Sequence, residues 1–386
     1  MNTAKNRKLT YGILGVLTAI GVVCWIYQLV AGLGVTGMNN ANSWGTYIIM
    51  FMFFVGLSAG GLIVASSAHV FHIEKFKKVS KPAVIVSTVC ICMAGMFILI
   101  DLGGFTNVWR ILVGPNPTSP LLWDMCVITI YLIINILDLF WMHKGDEHKV
   151  DVLSRFALPV AILVHSVTAW IFGLQIAKAW YTAIMAPIFV ASAMDSGLSL
   201  LLLSLLALEK MEKIKIGSSL MGFLAGLLAT CIAVDAYFIG CEVLTMAYPG
   251  AHEAVALSHM LTGATAPFFW FEVIGGLVVP FCILVFAKNR QRKGLVIVAS
   301  MLVIAGVLCK RIWLLLTSFI TPNIEGAAGI TLGNQGVIES AGSMWALSGA
   351  YMPTAIEIII VIGVLSLGVL AFLVLSDIFI TPSKND

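Results

Sequence analysis

Ten stretches of this sequence are apolar over roughly 20 residues or more, long enough to cross a hydrocarbon layer as a helix. They run approximately over 10–33, 45–73, 82–104, 120–142, 153–175, 184–208, 216–246, 268–287, 294–318 and 353–379. Hydrocarbon offers backbone groups no water, so a crossing segment must be a helix or a strand of a closed barrel. These runs are continuously apolar rather than alternating, which selects the helix. The fold class that follows is an all-α integral membrane protein with about ten transmembrane helices. Composition agrees: 60% of the 386 residues are hydrophobic and 11% charged, against about 25% charged in a soluble domain. The lipid bilayer is the first partner of such a chain, and no nucleic-acid partner is expected.

The few charges sort by side. Eighteen of the 22 Lys and Arg lie before span 1, in the connections after spans 2, 4, 6 and 8, and near the C-terminus. The opposite side has Arg110 and Lys178, while Lys310 and Arg311 fall inside span 9. Positive-inside bias then predicts that both termini are cytoplasmic, in the cytoplasmic membrane of a bacterium or archaeon. The first apolar run is too long for a signal-peptide core, so it reads as span 1 and no cleaved leader is expected. The eight cysteines all fall within spans and form no C-x-x-C pair. They read as small buried apolar residues, not as a disulfide framework or iron–sulfur ligands.

Spans 2–5 and 6–9 read as two copies of one unit, residues 45–175 and 184–318, related by a parallel duplication and flanked by spans 1 and 10. Span 4 opens with Pro120, Trp123 and Asp124, and span 8 with Pro267, Trp270 and Glu272. Pro suits the first turn of a helix and Trp the membrane interface. Spans 2 and 6 both carry small-residue clusters, "GLSAGG" and "ASAMDSG", which let helices approach closely in lipid. On the outer side, 105–119 is rich in turn formers, and 319–352 is long, Gly-rich and free of Lys and Arg. Both are candidate docking surfaces.

Ionisable residues inside a membrane are costly and mark candidate function. In the first unit these are Asp101, Asp124 and His165, with Trp44, Trp109 and Trp123 nearby; all lie towards the outer side. A carboxylate and an imidazole beside an apolar, aromatic-walled pocket suit a quinone, whose two-electron chemistry needs two protons moved. The plainer alternatives are that Asp124 caps its helix and that His165 is a hydrogen-bonded core residue. The second unit carries Asp195, Asp235, Glu242, Glu272, Lys310 and Arg311, either an ion-pair network or a proton path. Of seven histidines only His165 lies well inside a span, which argues against a bis-histidine haem. No metal-ligand cluster or phosphate-binding loop is present in the sequence.

The stretches "WGTYIIMFMFFVGLSAGG", "PTSPLLWD", "HSVTAWIFGL" and "APIFVASAMDSGLSLLLL" resemble the NrfD/PsrC family, the membrane subunits of polysulfide-reductase-type respiratory complexes, over nearly the whole chain. The ten-span layout is similar to the longer branch of that family. The resemblance implies electron exchange between the quinone pool, menaquinone or ubiquinone, and an extracytoplasmic ferredoxin-like iron–sulfur subunit. That subunit would serve a catalytic subunit, often a molybdopterin enzyme. It also implies a quinone site towards the outer face of the first unit, and no haem or iron–sulfur cluster in this chain. Two other functions fit the residues: a secondary transporter, expected to have interrupted helices around a midplane site, and a proton-translocating subunit coupled through the second unit.

Overall fold

The computed structural model describes residues 2–39, 42–175, 179–249, 252–320 and 351–380. Ten helices in it are long and apolar enough to cross a membrane. We number them α1 (Asn2–Ala31), α2 (Thr46–Val70), α3 (Glu74–Asp101), α4 (Pro120–Lys144), α5 (Glu147–Gly173), α6 (Met185–Lys210), α7 (Ser218–Ala247), α8 (Ala266–Leu284), α9 (Lys293–Ile320) and α10 (Ala355–Phe379). Most of the loop expected at 319–352, from 321 to 350, lies outside the described residues, as does Lys178.

Helix α2 is the axis of the molecule. It is apolar on every face, and a helix apolar all round belongs in an interior. Nearly all its residues are buried, against α3, α5, α6 and α9. Lipid is as apolar as a leucine side chain, so helices associate here through packing and not by escaping water. Gly60 of α2 shows this. A Cβ built on it would stand 2.5 Å from the backbone of Gly197 in α6, and one on Gly197 would stand 2.5 Å from Gly60. Only two glycines allow that crossing. The same device joins α1 to α10, where a Cβ on Gly21 would meet the Gly363 backbone at 2.6 Å. The α1–α10 pair leans on α3, and α1 leaves most of its surface to lipid.

Sequence boundaries hold to within a few residues except at three helix starts, one of them α1, which begins at Asn2 rather than 10. Hydropathy starts span 3 at 82, but α3 begins at Glu74, and Lys75, Lys77, Lys78 and Lys81 are helical. Span 5 likewise begins at Glu147 rather than 153. Both extra segments are polar turns that project beyond the apolar part, where hydropathy carries no signal but water and lysine stems still support a helix. Between α4 and α5 the connection is tight. Gly145 adopts φ 73°, the left-handed turn that ends a helix, and Asp146 then caps α5 by accepting from the Lys149 amide at 3.2 Å. The Lys149 side chain, 3.0 Å from Asp146, together with that amide holds the Asp146 carboxyl below the usual carboxylate range.

Helices α4 and α8, expected as counterparts, differ. α4 is an unbroken α-helix, whereas α8 contains a π-helical stretch, Phe271–Val278, between two short α-helical pieces. Pro280 supplies a cause. It has no amide hydrogen, so the Gly276 carbonyl loses its ordinary partner, and the adjacent Gly275 and Gly276 permit a wider turn. Gly276 also faces Gly306 of α9 across a contact that admits no side chain, its Cβ falling 2.7 Å from the Gly306 Cα.

At the lysine-rich end, Asp377 near the end of α10 pairs with Arg7 of α1 and with Lys213 in the α6–α7 connection, and accepts from Tyr11 at 2.9 Å. These bonds tie first, middle and last segments together.

Candidate functional site

Among the helices α2 to α5, polar side chains form a column through otherwise apolar packing. On α4, Asp124, Tyr131, Asn135 and Asp138 recur at helical spacing on one face, and all four are buried. The fourteen residue steps from Asp124 to Asp138 cover about 21 Å of helix at 1.5 Å per residue. At the lysine-poor end Asp124 is only 2% exposed, and it accepts a hydrogen bond from Thr168 Oγ1 of α5 at 2.6 Å. The same hydroxyl lies 2.9 Å from the Val164 carbonyl. One hydroxyl hydrogen faces two acceptors. With Asp124 ionised it points to the carboxylate. With Asp124 protonated the acid donates to Thr168, whose hydrogen turns to Val164. The pair can therefore take up and release a proton without rearranging the helices.

Midway, Tyr131 joins Ser58 of α2 (3.0 Å) and Ser87 of α3 (2.8 Å). Asn135 donates to the Tyr131 carbonyl at 2.8 Å and receives Thr88 at 3.5 Å. Next comes Asp138, fully buried, with neither carboxyl oxygen hydrogen-bonded among the described residues. At the lysine-rich end His69 meets Asp151 at 2.7 Å. A buried acid with no partner is a strong reason for a proton or a water to be present.

His165 is buried between two backbone carbonyls. Its Nδ1 is 2.8 Å from the Ala161 carbonyl and its Nε2 is 2.9 Å from the Val55 carbonyl of α2. Both are acceptors, and a neutral imidazole has one N–H to give. The ring cross-links α5 to α2, and its bonds are separate from those of Asp124. Asp101, at the end of α3, has one buried oxygen without a partner among the described residues. Trp109 and Trp123 stand at the surface, 57% and 36% exposed, and the Trp123 indole donates to the Pro117 carbonyl at 2.7 Å. Trp44 stacks on Trp180 at 6.1 Å and meets Phe172 edge-on at 5.7 Å.

The second set converges in part. Lys310 of α9 bonds Asp235 of α7 at 2.9 and 3.1 Å and lies 3.4 Å from Glu272 of α8. Glu272 also accepts from the Trp313 indole at 2.5 Å. Arg311 turns the other way, donating to Ser192 at 2.8 Å and lying 3.9 Å over the Phe189 ring. Neither carboxyl oxygen of Asp195 has a hydrogen-bond partner among the described residues. Glu242 stands apart and accepts from Thr182 at 3.1 Å. All but Glu242 are buried. Among the described residues no group of three His, Cys, Asp or Glu comes together as a metal site.

A further knot gathers residues that lie far apart in the sequence. Glu357, in the first turn of α10, accepts from the Gly37 and Thr354 amides, both at 2.8 Å, and from the Tyr351 hydroxyl at 2.6 Å. Burial and the Glu357 carboxylate push the Tyr351 phenol well up from its ordinary value. Nearby Tyr47 donates to Gln28 at 2.6 Å, and Gln28 donates to the Ile100 carbonyl at 3.2 Å. Residues from five distant parts of the chain meet here, and only the Glu357 cap, three residues after Thr354, has a local pattern.

Comparison with known proteins places this geometry in context. Residues 34–323 match the family described as "Polysulphide reductase, NrfD". A dimethyl sulfoxide reductase membrane subunit of Halobacterium salinarum is 34% identical, over 93% of this chain and 88% of its own length. The Hdr-like menaquinol oxidoreductase integral membrane subunit of Archaeoglobus fulgidus is 31% identical, over 94% of this chain and 90% of its own. A selenate reductase subunit of Mesobacillus selenatarsenatis is 25% identical, over 95% and 92%.

Proposed function

Because this chain belongs to the NrfD polysulphide reductase family, we propose that it is the quinol- or quinone-reactive membrane subunit of a multi-subunit respiratory oxidoreductase. Its partners are an iron–sulfur subunit docked on the lysine-poor face, which is extracytoplasmic in the positive-inside orientation, and through it a catalytic subunit. The observation that carries this reading is Asp124: a buried carboxylate, in the second turn of α4, that accepts a hydrogen bond from a hydroxyl able to follow its protonation. Oxidising a quinol to a quinone releases two electrons and two protons. Asp124 accepts a proton from a quinol hydroxyl and passes it towards the lysine-poor surface. Asp101 is a further proton acceptor at that end. His165 serves as a positioning residue, holding α5 on α2 so that Thr168 meets Asp124. The electrons leave for the partner's cluster. That one relative is named for menaquinol oxidation favours a naphthoquinone-type substrate.

The buried face of α4 favours a second reading within the same complex, in which protons also enter from the lysine-rich side through His69, Asp151 and Asp138. The test of the main reading is gentle extraction of the protein with its native partners, followed by low-temperature EPR. Iron–sulfur signals that added quinol reduces, and that Asp124→Asn makes unresponsive to quinol while the complex stays assembled, are the expected result. A solitary, iron-free protein with no response to quinol refutes it.

A further inference from the structure

A small chamber lies at the lysine-poor end between the start of α6 and the ends of α7 and α9, with a volume of about 30 Å³. About 10–15 Å³ of such volume admits one water, so the chamber has room for one or two waters and not for an aromatic ring or an acyl chain. Much of its wall is apolar, with Ile188, Val243 and Met246 among the lining residues. Three polar side chains from separate parts of the chain also line it. Trp180, in the α5–α6 connection, is 3% exposed, and its indole N–H has no hydrogen-bond partner among the described residues. Lys310 of α9 is fully buried, and its ammonium bonds Asp235 at 2.9 Å. Glu242 of α7 accepts at 3.1 Å from Thr182, which belongs to the same connection as Trp180. Among the described residues Lys310 pairs with Asp235 and Glu272 but not with Glu242, although both line the chamber.

Cavities that stay empty inside proteins are apolar. A chamber lined by an ammonium, a carboxylate and an indole N–H is not of that kind. Opposite charges that face one space without touching are the ordinary setting for a bridging water. A buried indole N–H left unpaired would cost the full desolvation of that group. Water has the complementary set: its lone pairs accept from the indole and the ammonium, and its hydrogens go to the carboxylate. We propose that the chamber is an internal water site, in which one or two waters join Lys310 to Glu242 and receive the Trp180 N–H. The bridge ties the α5–α6 connection, α7 and α9 together at the lysine-poor end. It also puts the buried charges around Lys310 in hydrogen-bonded contact with Glu242, the one acid of that set that is not fully buried. A proton can then pass between the cluster and the lysine-poor end through the chamber. No quinone takes part, so the site stands or falls independently of Asp124.

The experiment is a cryo-electron microscopy map of the complex in lipid nanodiscs, at a resolution that shows ordered water. It is paired with exchange of the Trp180 indole hydrogen in heavy water, read by resonance Raman as the difference between the wild type and Trp180→Phe. A filling variant, Val243→Leu, adds one methylene, about the volume a water occupies, and changes no polar group. Expected in the wild type is compact density within hydrogen-bond distance of Lys310 Nζ and of Glu242 or Trp180 Nε1. In Val243→Leu that density should be gone, and indole exchange should slow by about tenfold or more, because it then needs a local opening of the structure. A chamber without density, one filled by a continuous hydrocarbon chain, or a direct bond between Lys310 and Glu242 overturns the proposal. So does indole exchange that Val243→Leu leaves unchanged. If either variant fails to assemble, the wild-type map decides alone.

Discussion

Replacing Lys310 by methionine tests the buried charge cluster most directly. Lys310 and Arg311 share the interior with Asp235, Glu272 and Asp195, so the wild-type cluster has one negative charge in excess if all ionise. Lys310→Met raises the excess to two and removes the ammonium bonded to Asp235 at 2.9 Å. At an effective dielectric of about 20, unit charges about 3 Å apart attract by roughly 5 kcal/mol, before desolvation offsets part of it. Breaking one side of a buried pair costs about 3–5 kcal/mol, because a charge is left without compensation. A hydrogen bond between membrane helices averages only about 0.6 kcal/mol, so the two explanations differ several-fold. The double variant Lys310→Met with Asp235→Leu restores the wild-type excess, and should recover most of the loss. The assay is reversible unfolding of the full chain in mixed micelles by added dodecyl sulfate, followed by circular dichroism, for both single variants and the double. A cost below about 1 kcal/mol for Lys310→Met, or a double variant no more stable than that single, refutes the account.

The glycine crossing predicts that Gly60→Ala, whose methyl would stand 2.5 Å from the Gly197 backbone, destabilises the same unfolding transition by about 1–3 kcal/mol. Gly222→Ala, in open space on α7, is the control and should be neutral or stabilising by up to about 1 kcal/mol. Tyr131→Phe removes the hydroxyl that joins Ser58 and Ser87 and should cost about 1–3 kcal/mol in that assay; an unchanged midpoint counts against the bridge. The Asp146 cap contributes fully above the ordinary carboxylate range and is lost as pH falls through its lowered folded value. Amide exchange at Lys149 should therefore accelerate, beyond the intrinsic pH effect, only in strong acid, and Asp146→Ala should abolish that dependence.

The membrane spans were legible because hydrocarbon imposes one length and one backbone solution on every crossing segment. Their polar extensions at Glu74 and Glu147 were not, since helices continue into water without an apolar signal. The set of buried ionisable residues was legible for the same energetic reason, but their pairing was not. Whether Lys310 meets Asp235 or Asp195 depends on helix rotation of a few tens of degrees, and no spacing in the chain encodes that angle. His165 shows the limit clearly. Its depth could be read, yet its partners are the backbone carbonyls of Ala161 and Val55, and carbonyls carry no residue identity. Tyr131, Ser58 and Trp180 went unmarked because hydroxyls and indoles in membrane proteins are common, and no spacing in the chain tells which of them are buried.

The widened stretch of α8 has a consequence for how the second half of the chain can vary. An α-helix advances each side chain by about 100°, and a π turn absorbs one additional residue while leaving the flanking pieces in their own phase. Glu272 and Pro280 therefore stand on faces whose relation is set by the count of residues between them. Deleting one residue from Phe271–Val278 would turn this segment into an ordinary α-helix and swing Glu272 by about one residue's rotation relative to the part of α8 anchored at Gly276. The carboxylate would then leave Lys310 and face a different helix. The local change in backbone winding acts as a phase setting for the charge cluster, and a one-residue indel there would rewire it with no change to any charged residue.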